Sequence, residues 1–219
     1  MASRKCLENN KPLKAKTTLK NFKMKYLIIL GCFFITTAAF SQDFKTDITT
    51  AKTAYASGKL EDAHFALLQA MQEVDIIIGK EVLKLLPAKM DTYEANTKDD
   101  NVMSNVGFIG STIHRSYGAN SEADLSIIGN SPLVSTLNAF LNTPLLGGMA
   151  SNGNNKIIKV QGYKGQLTKD DNGSGQSNYT MQIPLGNALV TFTAKNTTDT
   201  QITTWANTLP LAQIAKLVQ

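Results

Sequence analysis

Tyr179-Thr180-Met181-Gln182-Ile183-Pro184-Leu185-Gly186-Asn187-Ala188-Leu189-Val190-Thr191-Phe192-Thr193-Ala194 is the stretch that decides the fold class. Tyr179 to Leu185 and Ala188 to Ala194 read as two strands, and the Gly186-Asn187 pair between them suits the positive φ angles of a tight hairpin. Lys156 to Val160, a turn at Gly162, and Tyr163 to Thr168 precede them, followed by the polar Asp170-Asp171-Asn172-Gly173-Ser174-Gly175. Four strands in meander order result, with Asn172-Gly173 as a further hairpin signal.

Upstream, strand character begins near Val106 and runs through Ile113-His114-Arg115-Ser116-Tyr117 to a turn at Gly118-Ala119-Asn120. Ala123, Leu125 and Ile127 then alternate with Asp124, Ser126 and Ile128, the pattern of a half-buried strand. Tyr93 to Met103 is polar, with a loop expected at Lys98-Asp99-Asp100-Asn101. Asn130-Ser131-Pro132 predicts a helix start, Ser131 as cap and Pro132 at the first position, with Leu133, Leu137, Phe140 and Leu141 on one face and Pro144 as the stop. The chain closes with Asp199 as a cap, a face of Ile202, Trp205, Ala206 and Leu209, a break at Pro210 and a short helix from Leu211 to Val218. The expectation is an α+β fold: an antiparallel sheet of about five or six strands covered by the 131–141 and C-terminal helices.

Residues 42–88 read as a helical hairpin set before this 89–219 domain. Ala51, Ala54, Tyr55, Gly58, Leu60, Ala63, Leu67 and Ala70 follow the spacing of one tetratricopeptide-like unit, with Ser57-Gly58 as the break. Met71, Val74, Ile77, Ile78, Val82 and Leu85 continue the helical stripe until Pro87 ends it. A single unit cannot bury its own face, so the hairpin packs on the rest of the domain or offers a peptide-binding surface.

Met24 to Gln42 has the three-part layout of a secretory signal peptide: Lys25, the apolar run Tyr26 to Ile35, and Ala39-Phe40-Ser41 before a cut between Ser41 and Gln42. Residues 1–23 read as an over-extended N-terminus and 24–41 as the signal. Tyr26 to Phe40 is shorter than the ~20 apolar residues of a membrane span. Lipidation at Cys32 is disfavoured by Leu30 before it and by the apolar Phe33-Phe34-Ile35 after it.

Removing residues 1–41 changes the electrostatics. They hold eight of the 22 basic and one of the 17 acidic residues, leaving 14 basic and 16 acidic and no basic footprint for nucleic acid. Cys6 and Cys32 leave with them, and with those thiols any disulfide, Cys-ligated metal or Cys nucleophile. About 178 residues remain, enough for an ordinary domain.

The order Leu86-Pro87, Arg115-x-Tyr117, an alternating strand, Asn130-Ser131-Pro132-Leu133, Val160-x-Gly162-Tyr163, two hairpins and a short C-terminal helix pair resembles a group of uncharacterised exported envelope proteins of Gram-negative bacteria. More loosely it is similar to Mog1/PsbP-type α/β sandwich domains. The likeness covers about residues 86–218 and implies a twisted antiparallel sheet between helices; it implies no activity.

Candidate chemistry is sparse. Asp170, Asn172, Ser174 and Gly175 match the first ligand positions of an EF-hand loop, but Met181 stands where the bidentate Glu belongs, so a polar hairpin turn is expected rather than a calcium site. His64 and His114 are the only histidines and lack zinc-site spacing, and no G-x-S-x-G or phosphate-binding glycine loop occurs. Arg115 beside Tyr117 reads as a cation on a sheet face or one half of a surface strand pair. No catalytic, cofactor or metal residue is expected. Leu145, Leu146 and Met149, at an apolar loop tip, are the candidate interaction residues, with a lid folded back on the core as the equal alternative for that loop. The functional expectation is a non-catalytic envelope protein, periplasmic or extracellular, whose partner is another envelope protein. It binds no nucleic acid and keeps no stable membrane span after signal removal. The alternative is a carrier of a small apolar ligand between helix 131–141 and the sheet.

Overall fold

A computed structural model describes residues 39–105, 109–143, 154–171 and 177–218. The chain begins there with α1 (Ala39–Ala56) and α2 (Leu60–Leu85), joined through Gly58, whose φ of 73° closes the turn as Lys59 N donates to Ala54 O at 2.9 Å. Glu61 and Asp62 in the first turn of α2 and Lys84 in its last complement the helix dipole. A two-stranded ribbon follows, β1 (Lys89–Met90) with β2 (Tyr93–Glu94).

The main sheet is built from β3 (Asn101–Asn105), β4 (Ile109–Tyr117), β5 (Ala123–Ile128), β6 (Asn155–Val160), β7 (Tyr163–Asp171), β8 (Ser177–Leu185) and β9 (Ala188–Thr197). Three helices complete the described chain: α3 (Leu133–Asn142) between β5 and β6, then α4 (Asp199–Ala206) and α5 (Leu211–Val218) after β9. The strand order is β3-β4-β5-β9-β8-β7-β6, antiparallel throughout. The fold is therefore α+β.

Strand alternation gives the sheet two unlike faces. Leu125, Phe192, Met181 and Leu167 stand in register across four strands and are buried, as are Ile127, Val190 and Ile183 in the next row. Val82 and Leu86 from the α2 end, Ile202, Trp205, Leu211 and Ile214 from the C-terminal helices, and Leu209 from the link between them join them in the main core. Each such aliphatic or aromatic side chain stabilises the fold by about 1.5–3 kcal/mol relative to its exposed state. The other face carries Thr168, Thr180, Thr193, Asp124 and Ser116 in one row. A second, smaller core forms there, where Val134, Leu137 and Leu141 of α3 cover Leu189.

Several expectations change. The sheet has seven strands rather than five or six, because Asn101–Asn105, which starts at the end of the expected 98–101 loop and before the strand start expected near Val106, pairs with β4 as an edge strand. Its polarity reflects that edge: Met103 is exposed while Val102 packs toward the core. Ser131 makes no side-chain cap; Pro132, expected at the first helical position, is instead the N-cap residue of α3 and offers no side-chain bond, and Ser131 N donates to Asn187 O at 3.0 Å. The cap of α4 is Thr198, in a reciprocal capping box with Gln201, and Asp199 instead pairs with Lys156 at 2.7 Å. The Lys156 ammonium, aided by hydrogen bonds from Thr200, holds the Asp199 carboxyl below its ordinary range.

Candidate functional site

The helix pair is the part of the molecule whose surface its own packing does not explain. Ala51 and Ala54 of α1 and Ala63, Ala66 and Ala70 of α2 are all buried. At 100° per residue the α2 alanines form one flank, and their small side chains suit the close approach of a second helix. The opposite flank of α2 takes the sheet. Gly79 and Val82 are buried there, Gln72 Nε2 donates to Ser104 O at 3.4 Å, and Ser104 Oγ donates to Asp75 Oδ2 at 3.0 Å.

Two flanks remain. One is a groove of about 580 Å³ whose walls include Thr49 and Thr53 of α1 and Phe65 and Gln69 of α2. The other is apolar. Leu60, Leu67, Met71 and Val74 share that side of α2, with Leu60 63 % and Met71 58 % exposed. Phe44, Ile48 and Tyr55 lie on the side of α1 turned away from the groove threonines, Tyr55 being 71 % exposed. Because the groove occupies the opposite side of both helices, these seven side chains share one surface of the pair. At their exposures they amount to on the order of 600 Å² of apolar area, at the top of the range for the largest patch on a monomer.

One acid sits at the seam. Glu73 Oε2 is buried without a hydrogen-bond partner, and burial, then the nearby Asp43 and Asp47, push its carboxyl above the ordinary range.

The residues singled out from the sequence are scattered. Leu145, Leu146 and Met149 lie outside the described residues, as do 172–176 of the calcium-like loop. Of that loop, Asp171 pairs with Lys169 at 2.8 Å and accepts from Ser177 Oγ at 2.8 Å, which fits a hairpin end. Ser41 and Gln42 fall in the first turn of α1. His64 is exposed on α2. His114 Nε2 lies 2.6 Å from Asp124 Oδ2 on the polar sheet face, but Ser126, its cross-strand neighbour, makes no hydrogen bond to it. Ser116 is held by Asn96 Nδ2 at 3.0 Å. A nucleophile–base pair is therefore not assembled there. Among the described residues no group of His, Cys, Asp and Glu is placed to hold a metal ion.

Arg115 overturns its sequence reading on both counts. It is neither a presented cation nor a surface pair, but 6 % exposed on the core side, where Asp100 from the β2–β3 loop neutralises it. Beneath α3, Leu133, Phe140, Gln166, Gln182 and Leu189 border an open cleft of about 280 Å³. That is slightly below the ~300–1,000 Å³ usual for small-molecule pockets. Among the described residues no helix is long and apolar enough to cross a membrane. No protein-family model, curated protein or solved structure matches this chain.

Proposed function

We propose that the protein is an exported, non-catalytic interaction module of the bacterial cell envelope, with the apolar surface of the α1–α2 pair as its contact site. The observation that carries this reading is the exposure of Tyr55, Leu60, Leu67 and Met71 together on one surface. Water-exposed apolar area of that size is costly and is retained where a partner covers it. The helical hairpin read from the sequence supplies such a surface, because its alanine seam and its sheet contact use the other flanks of α2. Export rests on the Met24–Gln42 pattern, and the resemblance to envelope proteins and Mog1/PsbP-type sandwiches belongs to the same proposal.

A photo-crosslinking residue placed at Met71 in the exporting cell tests the contact site. Adducts at Met71 but not at the exposed Lys98 support it, and an absence of adducts at Met71 refutes it. Mass spectrometry of the exported protein tests the leader: a chain starting at Gln42 supports the signal reading, and a lipid-modified Cys32 terminus overturns it.

A further inference from the structure

We infer that the occupant of the α1–α2 apolar surface is a second copy of this chain, the two helix pairs forming a two-fold symmetric four-helix bundle. This rests on the interaction-module reading above and names its partner. Two observations carry it.

The first is area. The exposed apolar side chains supply on the order of 600 Å² per copy, most of the ~800 Å² that each partner contributes to a standard-sized interface. Their spacing on α2 at 60, 67, 71 and 74 is the three-and-four repeat by which side chains of paired helices interlock.

The second is the charge at the rims. Helical periodicity puts Lys45 and Lys52 on the outer rim of α1, just beyond Ile48 and Tyr55. It puts the exposed Glu61 on the far rim of α2, beyond Leu60 and Leu67, on the part of the helix that precedes its contact with the sheet. A basic rim and an acidic rim thus flank one apolar strip. A two-fold axis lying in the contact plane and running along the helices sets α1 of one copy on α2 of the other, so the basic rim meets the acidic rim twice. Because α1 and α2 run in opposite directions from the turn at Gly58, Lys52 comes within about one helical turn of the partner's Glu61, within reach of a lysine side chain. An axis running across the helices would set like rims together and cost binding. The pattern therefore selects one of the two symmetric arrangements.

Sedimentation equilibrium on the purified exported protein is the test. A dimer at about 100 μM is expected, with Met71→Asp weakening it by about 100-fold or more and leaving the melting curve at low concentration unchanged. Lys52→Glu weakens it by about tenfold, and adding Glu61→Lys restores it. A monomer at 100 μM, or a dimer indifferent to Met71→Asp, overturns the inference. Met71 crosslinks to a different protein in the cell, together with a monomer in solution, would overturn self-pairing and leave the interaction reading standing.

Discussion

Arg115 and Asp100 meet on the core side of the sheet through two parallel hydrogen bonds, Nε donating to Oδ1 at 2.8 Å and Nη2 to Oδ2 at 2.5 Å. A third guanidinium nitrogen, Nη1, donates to Leu86 O at 3.3 Å, so one side chain ties the β2–β3 loop to the end of α2. The carboxylate raises the arginine further above its already high range, against the opposing cost of burial. Removing the acid leaves a buried charge without its counter-ion. Asp100→Ala is expected to destabilise by about 3–5 kcal/mol in urea unfolding. Pairing it with Arg115→Met returns much of that loss, since both charges are then gone; a double variant no better than the single one would show that the arginine is not the source of the cost.

Tyr117, two residues on, is fully buried and donates through Oη to Pro87 O at 3.1 Å. Burial pushes its phenol up to about 12 from an ordinary 10.0. The folded state therefore holds the proton more tightly than the unfolded chain, and stability falls as pH rises from 10 towards 12. Tyr117→Phe is expected to cost about 1 kcal/mol at neutral pH. It should also flatten the loss between pH 10 and 12, read from urea midpoints across that range.

Gly79 lets α2 lie against the sheet. A Cβ there would run into Val102 Cγ1 and stand 3.2 Å from Ile113 Cγ1. Alanine in mid-helix would ordinarily gain up to ~1 kcal/mol. Here the clash reverses the sign, and Gly79→Ala is expected to lose about 1–3 kcal/mol. Val102→Ala in the same chain relieves part of it, which thermal denaturation of the single and double variants will show.

Glu73 gives the helix pair a pH response. With its carboxyl raised by burial and by Asp43 and Asp47, the folded state binds the proton more tightly than the unfolded one. The ionised form opposes folding at neutral pH, and stability rises as pH falls from the raised value towards 4.5, the ordinary value. Glu73→Gln is therefore expected to raise the melting temperature at pH 7 and to change it little at pH 4. Circular dichroism melts at the two values check this; a loss at pH 7 would mean that the carboxylate has a favourable partner.

Much of the sheet was legible because hairpin chemistry is local. Gly186 takes a positive φ of 59° at its turn, and Gln161 and Gly162 do so together at 50° and 89°. The strands around both turns lie where the residues placed them, and β5 has the bounds its alternation marks. Pairings between distant segments were not legible. β5 lies beside β9, joining Leu125 to Phe192 across the middle of the sheet. Arg115 looked like a surface cation because Asp100, 15 residues away, belongs to a segment whose composition only said loop. The apolar stripe of α2 was visible as a stripe, but composition could not say which of its members meet the sheet.

The sequence by itself determined the turns, the alternating strands, the breaks at Pro87 and Pro210 and the α+β class. Each depends on backbone preferences and side-chain periodicity within a few residues. Only the tertiary structure decided that Val82 enters the core while Leu67 and Met71 remain in water. The same helix bears all three, and its sheet contact and alanine seam occupy the other flanks. The packing of one element against two neighbours, which no local pattern encodes, turned a hydrophobic stripe into a candidate interface.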